Sequence, residues 1–230
     1  MPGPGWPMPD GVELPDRPAW PVRLRAGSVG LRRLLQRDAD GWVGVRARNA
    51  RWLAPWDATP PPEGDPGPGS FAEMVRMLNR QARAGSTLPW AITWDAGRPW
   101  RPLAPPSPVI GQLTVSGITY GSARWAQIGY WIDRDHAGRG IVPVSVALAC
   151  DYCFGVLELH RIEIDIRPEN TNSLRVVEKL GFRPEGMRPA YLHIAGDWRD
   201  HLTFALHRDD VPEGLLVRYL DGRPLPGVNP

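Results

Sequence analysis

The sequence has 230 residues, of which 42% are hydrophobic and 23% charged, and its formal net charge is +2 at pH 7. This length and composition suit one globular domain and exclude a disordered or a collagen-like chain. The small net charge argues against nucleic acid or a membrane as an obligate partner, and no apolar run is long enough to span a bilayer.

Proline and glycine divide the chain into parts. Residues 1–21 are rich in both, and we expect a flexible tail there. We assign one domain to residues 22–207, with proline-rich insertions near 55–69 and 96–108, and a C-terminal extension to 208–230. The N-terminus lacks the basic and apolar regions of a signal peptide, and only two cysteines are present. These features predict a cytoplasmic protein, and the strong preference for arginine over lysine is typical of a GC-rich bacterial genome.

The first half of the domain shows short strands and two helices. Residues 22–35 alternate around a Gly-Ser turn, which predicts two short strands. Residues 38–52 have near-helical spacing of apolar residues, with Asp38 as the expected cap. The segment Ser70-Phe-Ala-Glu73 is a capping box and predicts a helix that ends at Gly85. Two further strands are predicted over residues 88–94 and 109–119.

The second half begins with WAQIGYWI, residues 125–132, which predicts a central strand. A polar turn over residues 133–140 leads to Pro143, in the first turn of a predicted amphipathic helix. The pair Cys150 and Cys153 lies on the apolar stripe of this helix, so we assign both to core packing. The histidines show no metal-binding spacing, and we expect no metal.

The last elements alternate between strand and helix. Residues 161–167 place three isoleucines on one face and Glu163 and Asp165 on the other. Asn170–Leu180 reads as a short capped helix, and two strand-like runs flank Gly196-Asp197-Trp198 as a hairpin. This succession predicts an α/β (α+β) fold with a mixed sheet.

The segment Ala137-Gly-Arg-Gly-Ile-Val142 carries the first chemical signal. Its two glycines allow the backbone to approach a ligand closely, and the helix that follows adds the positive end of its dipole. A phosphate or pyrophosphate would suit such a turn. The segment alone is equally compatible with an ordinary connection between a strand and a helix.

A second motif follows thirty residues later: Asn170-Thr-Asn-Ser173 opens a helix that ends at Gly181-Phe182. Together with GYWID and AGRGI, it resembles the GNAT superfamily of acetyl-coenzyme A-dependent N-acetyltransferases, and within it the RimJ/RimL-like protein N-terminal acetyltransferases. The resemblance runs from about Val22 to Leu206. It implies a mixed, mostly antiparallel sheet with a splayed central strand, flanked by helices.

The resemblance also implies a binding site for acetyl-CoA. Backbone amides around Gly138 and Gly140 would hold the pyrophosphate, and the splayed strand would pair with the pantetheine arm. Ala137 and Val142 depart from the side chains typical of the family, and Arg139 is a candidate cation beside the turn. The implied cofactor-binding residues are Tyr130, Trp131, Ile132, Gly138, Arg139, Gly140, Ile141, Val142, Asn170 and Ser173.

For catalysis, the resemblance implies that Ser173 lies near the sulfur as a general acid and that Asn170 binds the pantetheine. The alternative is that both residues only cap the helix. Asp165 matches a catalytic carboxylate of some relatives, and the favoured alternative for Asp165 and Glu163 is a solvated polar strand face. The glutamate that some RimL-like enzymes carry before the final hairpin is replaced here by Tyr191-Leu192-His193.

The implied reaction is acetylation of a protein N-terminal amine, with a ribosomal protein as one acceptor. A peptide acceptor predicts an open groove between residues 38–55 and 188–200, where Trp52 and Trp56 are candidates to line the cleft. The alternatives are a small amine acceptor, such as an antibiotic or polyamine, and a non-catalytic acyl-CoA-binding protein. A small cationic acceptor predicts clustered carboxylates beside the thioester.

Overall fold

The computed structural model describes residues 12–13, 20–95, 107–221, 223, 225 and 226. The strands in these ranges are β1 (Val12–Glu13), β2 (Leu24–Ala26), β3 (Val29–Arg33), β4 (Leu88–Trp94), β5 (Val109–Thr119), β6 (Trp125–Ile132), β7 (Arg161–Ile166), β8 (Arg183–Ile194) and β9 (Asp197–His207). The helices are α1 (Ala39–Arg48), α2 (Ala50–Leu53), α3 (Phe71–Arg83), α4 (Ile141–Gly155), α5 (Thr171–Lys179) and α6 (Leu215–Leu220).

The described strands form one mixed sheet in the order β1-β2-β3-β4-β5-β6-β7-β9-β8. Every neighbouring pair is antiparallel except β6 and β7, which are parallel. The predicted fold class is therefore confirmed. The apolar runs that predict β4, β5 and β6 gave their bounds correctly, because each of these strands has at least one face packed in the core.

The parallel pair is short. The pairing of β6 with β7 runs from Trp125 opposite Arg161 to Gln127 opposite Glu163 and then stops, although β6 continues to Ile132. Beyond this point β7 pairs on its other side with β9, and β6 pairs only with β5. The two strands therefore diverge, as the splayed strand of the resemblance implies, and a gap opens between them.

Helix α4 is buried on all sides, which corrects the expectation of an amphipathic helix. Every residue from Ile141 to Phe154 is buried, because the sheet covers one side of α4 while α5 and α6 cover the other. Burial raises the pKa of both Cys150 and Cys153, so the two thiols act as small apolar groups. No helix in the described part of the chain is long and apolar enough to cross a membrane.

The segment after β9 contributes to the core. Leu215, Leu216 and Tyr219 of α6 are buried against α4. The carboxylate of Asp151, in the middle of α4, accepts hydrogen bonds from the backbone N–H groups of Leu215 at 2.6 Å and Leu216 at 3.0 Å. This side chain satisfies two donors that the start of α6 would otherwise leave without a partner.

Two expectations for the N-terminal region need correction. The flexible tail does not extend over Val12–Glu13, which pair with β2, nor over Trp20, whose ring packs 6.1 Å from that of Trp90. Residues 1–11 and 14–19 lie outside the described ranges. Asp38 does not cap α1; its carboxylate instead binds the Arg32 guanidinium at 2.7 Å, since a buried arginine requires a charged partner.

The final hairpin also differs from the sequence expectation. Its turn is Ala195-Gly196, both at positive φ, and Asp197 and Trp198 already belong to β9. β8 starts at Arg183, well before the predicted strand, and it is an edge strand with mostly exposed side chains. Such a strand lacks the apolar alternation by which strands are recognised in sequence.

Most of the second proline-rich insertion, residues 96–106, lies outside the described ranges.

We expect Asp151→Ala to lower the free energy of unfolding by about 2 kcal/mol, because two buried N–H groups at the start of α6 lose their acceptor. Urea unfolding monitored by circular dichroism measures the change. Asp209→Ala is the matched control, since Asp209 is exposed and should shift stability by less than about 0.5 kcal/mol. Equal stability of the two variants would show that Asp151 does not hold α6.

Candidate active site

A cavity of about 460 Å³ lies where β6 diverges from β7. The N-terminal ends of α4 and α5 both meet it, as do the end of β6 and the segment after α2. Its lining residues are Trp52, Leu53, Trp56, Asp57, Ala58, Gln112, Thr114, Ser116, Gly129–Ile132, His136, Ala137, Gly138, Gly140–Pro143, Asn170, Asn172, Ser173, Arg175, Val176 and Lys179. The structure thus brings together nearly all of the implied cofactor-binding residues.

The turn before α4 has the backbone that its glycines predict. Gly138 and Gly140 have φ of +77° and +76°, a region that favours glycine over residues with a side chain. A Cβ added at Gly140 would come within 3.3 Å of Pro226 Cγ, so the position is also crowded. The first N–H groups of α4 have no partner within the helix, and together with the helix dipole they are suited to an anion bound in the cavity.

The start of helix α5 shows which of Asn170 and Ser173 acts as a helix cap. The side chain of Asn170 caps the helix, because its Oδ1 accepts a hydrogen bond from the Ser173 backbone N–H at 3.1 Å. The Ser173 hydroxyl takes no part in this cap and belongs to the cavity lining. The capping explanation therefore holds for Asn170 and does not account for the Ser173 hydroxyl.

The side chain of Tyr130 enters the core from the splayed end of β6. Its hydroxyl is buried and has no hydrogen-bond partner in the described part of the chain. Burial raises the pKa of this phenol to about 12, and the neighbouring Ser173 hydroxyl opposes the rise. The two hydroxyls are close, but they do not meet hydrogen-bond geometry.

The other face of β6 forms an aromatic and charged wall. Trp131 meets the edge of Trp42, with ring centroids 6.1 Å apart, and the Arg46 guanidinium lies 5.2 Å from the centre of the Trp131 ring. Arg46 also binds the carboxylate of Asp57 through two hydrogen bonds, of 3.1 and 2.5 Å. The charge of Asp57 at the cavity is therefore already matched by a cation.

The buried carboxylate of Asp133 joins the two sides of the cavity. It accepts hydrogen bonds from Arg48 and Asn49 at the end of α1, and it follows directly after β6. Burial alone would raise the pKa of Asp133, but these hydrogen bonds and the charge of Arg48 outweigh burial and lower it. The ionised carboxylate thus fixes α1 and α2 relative to the turn that precedes α4.

Asp165 lies outside the cavity lining, in contrast to the catalytic position that the resemblance implies. Its carboxylate accepts hydrogen bonds from Thr203 at 2.6 Å, Gln127 at 3.1 Å and Arg188 at 3.2 Å. Neighbouring Glu163 is buried and binds the same arginine at 2.7 Å. The polar face of β7 is therefore an ion-paired network under the β8–β9 hairpin and not a solvated face.

The structure adds residues that the sequence motifs do not identify. Gln112, Thr114 and Ser116 of β5 face the cavity, alternating with buried Leu113 and Val115. This polar alternation inside an apolar strand is a signal that could have found them. Among the implied residues, Arg139 is exposed beside the turn and does not line the cavity.

The positive charge at the cavity comes from α5. Asn172, Arg175 and Lys179 line it at helical spacing, so they share one face of the helix.

Within the described residues, no group of three or more potential metal ligands comes together.

The expected peptide groove is bounded by a direct link between the two regions that should form it. Ala58 and Ile194 form an isolated antiparallel bridge, and the Thr59 N–H donates to the His193 carbonyl oxygen at 2.9 Å. The segment after α2 and the hairpin are therefore joined at this point. The open part of the cleft lies between Trp52, Trp56 and the end of β6.

Known proteins match this chain in sequence and in structure. A family model described as an acetyltransferase (GNAT) domain matches residues 28–183. A probable N-acetyltransferase of Bacillus subtilis is 41% identical over 102 residues, which cover 44% of this chain and 56% of that protein. The [ribosomal protein uS5]-alanine N-acetyltransferase of Escherichia coli is 28% identical over 193 residues, which cover 84% of this chain and 94% of that protein. The solved structure of Mycobacterium smegmatis RimJ in complex with CoA-disulfide has a TM-score of 0.76 at 35% identity, covering 88% of this chain and 95% of that chain.

The cap geometry predicts a stability loss for only one of two substitutions at the start of α5. Asn170→Ala removes the acceptor for the Ser173 N–H and should lower the free energy of unfolding by about 1 kcal/mol. Ser173→Ala removes no cap and should change it by less than about 0.5 kcal/mol. Urea unfolding of both variants measures the difference. A destabilising Ser173→Ala would mean that its hydroxyl has a structural role in α5.

Proposed function

The chain belongs to the GNAT family of acetyl-CoA-dependent N-acetyltransferases, and we propose that its acceptor is the N-terminal amine of a protein. We propose a ribosomal protein as the acceptor to test first, because the Escherichia coli relative that matches most of this chain acts on one.

The charge of the cavity lining is the observation that carries this proposal. A polyamine bears several ammonium groups, and a site built for it needs several unpaired carboxylates. Among the described lining residues Asp57 is the one carboxylate, and Arg46 already binds it. The lining therefore offers no unpaired carboxylate to additional ammonium groups, which favours an acceptor that presents a single amine.

We further propose that acetyl-CoA lies in the gap between β6 and β7. The amides from Gly138 to Val142 suit its pyrophosphate, and these contacts survive the departures at Ala137 and Val142 because the backbone makes them. The unpaired edge of Tyr130–Ile132 suits the amide groups of the pantetheine arm. Arg175 and Lys179 are placed to balance phosphate charge.

The proposed reaction mainly requires the protein to position the amine against the thioester. An α-amino group has a pKa of about 7.7–8.0, so an appreciable fraction is neutral near pH 7 and can attack the thioester without a strong base. Asp165 is held by three donors, so in this proposal water takes the proton of the amine. The Ser173 hydroxyl, free of the cap, is the proposed donor to the departing sulfur.

Binding of acetyl-CoA to the α4 turn can be tested by thermal stabilisation. At one hundred times Kd, acetyl-CoA should add about 2.7 kcal/mol of stability to the native protein. Gly140→Val should remove most of this gain, because a β-branched residue resists positive φ and would crowd Pro226. Gly44→Ala is the control, since a side chain at Gly44 meets open space. A full thermal shift in folded Gly140→Val would exclude the turn as the phosphate site.

The acceptor class is tested with a panel of peptides that differ at residue one, following release of the free CoA thiol. Peptides with a free N-terminus should react, and the same peptides with a blocked N-terminus should not, whether or not they contain lysine. Spermidine should react at least about 10-fold more slowly, since leaving a desolvated ammonium without a partner costs more than the roughly 1–3 kcal/mol of a neutral group.

The same assay tests the role of Trp56 in acceptor binding. Trp56→Ala should raise the KM for the peptide and leave the KM for acetyl-CoA unchanged, because Trp56 lines the part of the cavity that we propose receives the acceptor. Val43→Ala is the control, since Val43 is exposed on α1 outside the cavity. Faster acetylation of spermidine than of any peptide would overturn the proposed acceptor.

A further inference from the structure

Gly129 lies in the middle of β6, at an exposed position that lines the cavity. Glycine inside a strand is unfavourable compared with alanine, because it has no side chain to pack and loses more backbone freedom on folding. Where glycine occurs in a strand, it usually serves a backbone conformation that other residues resist, a β-bulge, or the close approach of another group.

Neither the backbone nor the packing of the protein requires glycine at this position. The φ angle of Gly129 is not positive. Its pairing with β5 is regular, with Gly129 opposite Thr114 and both neighbouring pairs in register, so no bulge lies there. A Cβ added at Gly129 would meet no atom within 4 Å.

The other glycines of the described strands each have such a reason. Two have a positive φ, and at the other two an added Cβ would lie within 2.7 Å of an atom of another residue. The first two are Gly117 and Gly186, and the second two are Gly30 and Gly111. For Gly129 the remaining reason is the close approach of a group bound in the cavity.

The space over Gly129 has walls that are tied to other parts of the protein. Gln127, two residues before it on the same face, donates hydrogen bonds to Asp165 at 3.1 Å and to the Tyr191 hydroxyl at 2.8 Å. Trp131, two residues after it, contacts two side chains of α1. We call this space between Gln127 and Trp131 the Gly129 recess.

The Gly129 recess opens away from α4. Ala126 and Ile128 are buried in the core cluster to which α4 belongs. Because side chains alternate along a strand, position 129 faces the opposite side of the sheet, which also carries Trp131. The turn before α4 is the proposed site of the phosphates, so the recess lies on the side left for the acceptor.

We propose that the Gly129 recess receives the first residue of the acceptor, and that the absence of a side chain at position 129 limits how large this residue can be. The inference rests on the proposed function, in which the acceptor is an N-terminal amine. The side chains of Thr114, Gln127 and Trp131 around the recess are uncharged, so it suits an uncharged first residue.

Gly129→Ala and Gly129→Val in the full-length protein test the inference. The matched controls are Gly44→Ala and Gly44→Val, since Gly44 is exposed on α1, lies outside the cavity lining and has open space around an added Cβ. Three quantities are measured: the melting temperature without ligand, the thermal shift with acetyl-CoA, and kcat/KM for peptides that begin with glycine, alanine, valine or leucine.

Gly129→Ala should raise the melting temperature by about 1–4 °C, because a strand gains a side chain that meets no obstacle. The thermal shift with acetyl-CoA should stay unchanged. For peptides that begin with valine or leucine, kcat/KM should fall about 10-fold in Gly129→Ala and about 100-fold in Gly129→Val, and for the glycine peptide it should fall least. Both Gly44 variants should keep the native ratios between peptides.

A loss that is equal for all four peptides, or native kcat/KM values in Gly129→Val, would contradict the inference. A lower melting temperature of Gly129→Ala would contradict it as well, because glycine would then have a structural role; this variant decides the matter even if Gly129→Val does not fold. If the unsubstituted protein acetylates none of the peptides, the proposed function fails and the inference fails with it. If it acetylates them and the Gly129 variants keep its ratios, the inference alone fails.

Discussion

The early end of the β6–β7 pairing is the constraint on which this structure depends. Two parallel strands in the middle of a sheet normally satisfy each other along their full length, yet here the ladder stops at Gln127 and Glu163. The backbone of β6 beyond that point still carries donors and acceptors that need partners. The N-termini of α4 and α5 are gathered around the same gap. A fully paired sheet would leave no place for an extended ligand to add itself as the missing strand.

Local backbone requirements made part of this architecture predictable from sequence. Gly138 and Gly140 are needed for positive φ, Asn170 for a cap, and the isoleucines of β7 for one buried face. Each of these signals lies within a few residues of the feature it specifies. The splayed strand was predicted only from the GNAT resemblance. No local pattern reveals it, because the β6–β7 pairing ends where the two strands diverge, and their positions depend on strands distant in the sequence.

What the sequence could not predict involves partners distant in the chain. Asp165 reads as a polar residue on a strand face, but its environment is set by Arg188 and Thr203 from the final hairpin. Asp38 looks like a helix cap until Arg32 is seen beside it. The apolar stripe predicts an amphipathic α4, but small residues off the stripe, such as Ser145 and Ala147, are buried just as fully. Composition along one helix does not show how many neighbours cover it.

The capping of α6 by Asp151 has a consequence for how the molecule is made. Helix α4 is synthesised long before residues 215–219 that cover one of its sides, and β9 must also emerge before β7 gains its second partner. Translation proceeds at about 5–20 residues per second, so the apolar surface of α4 is incomplete for several seconds on the ribosome. During that interval chaperones can bind the uncovered apolar surface of α4 in the nascent chain. A premature stop before α6 would leave the same surface permanently exposed and expose the product to proteolysis.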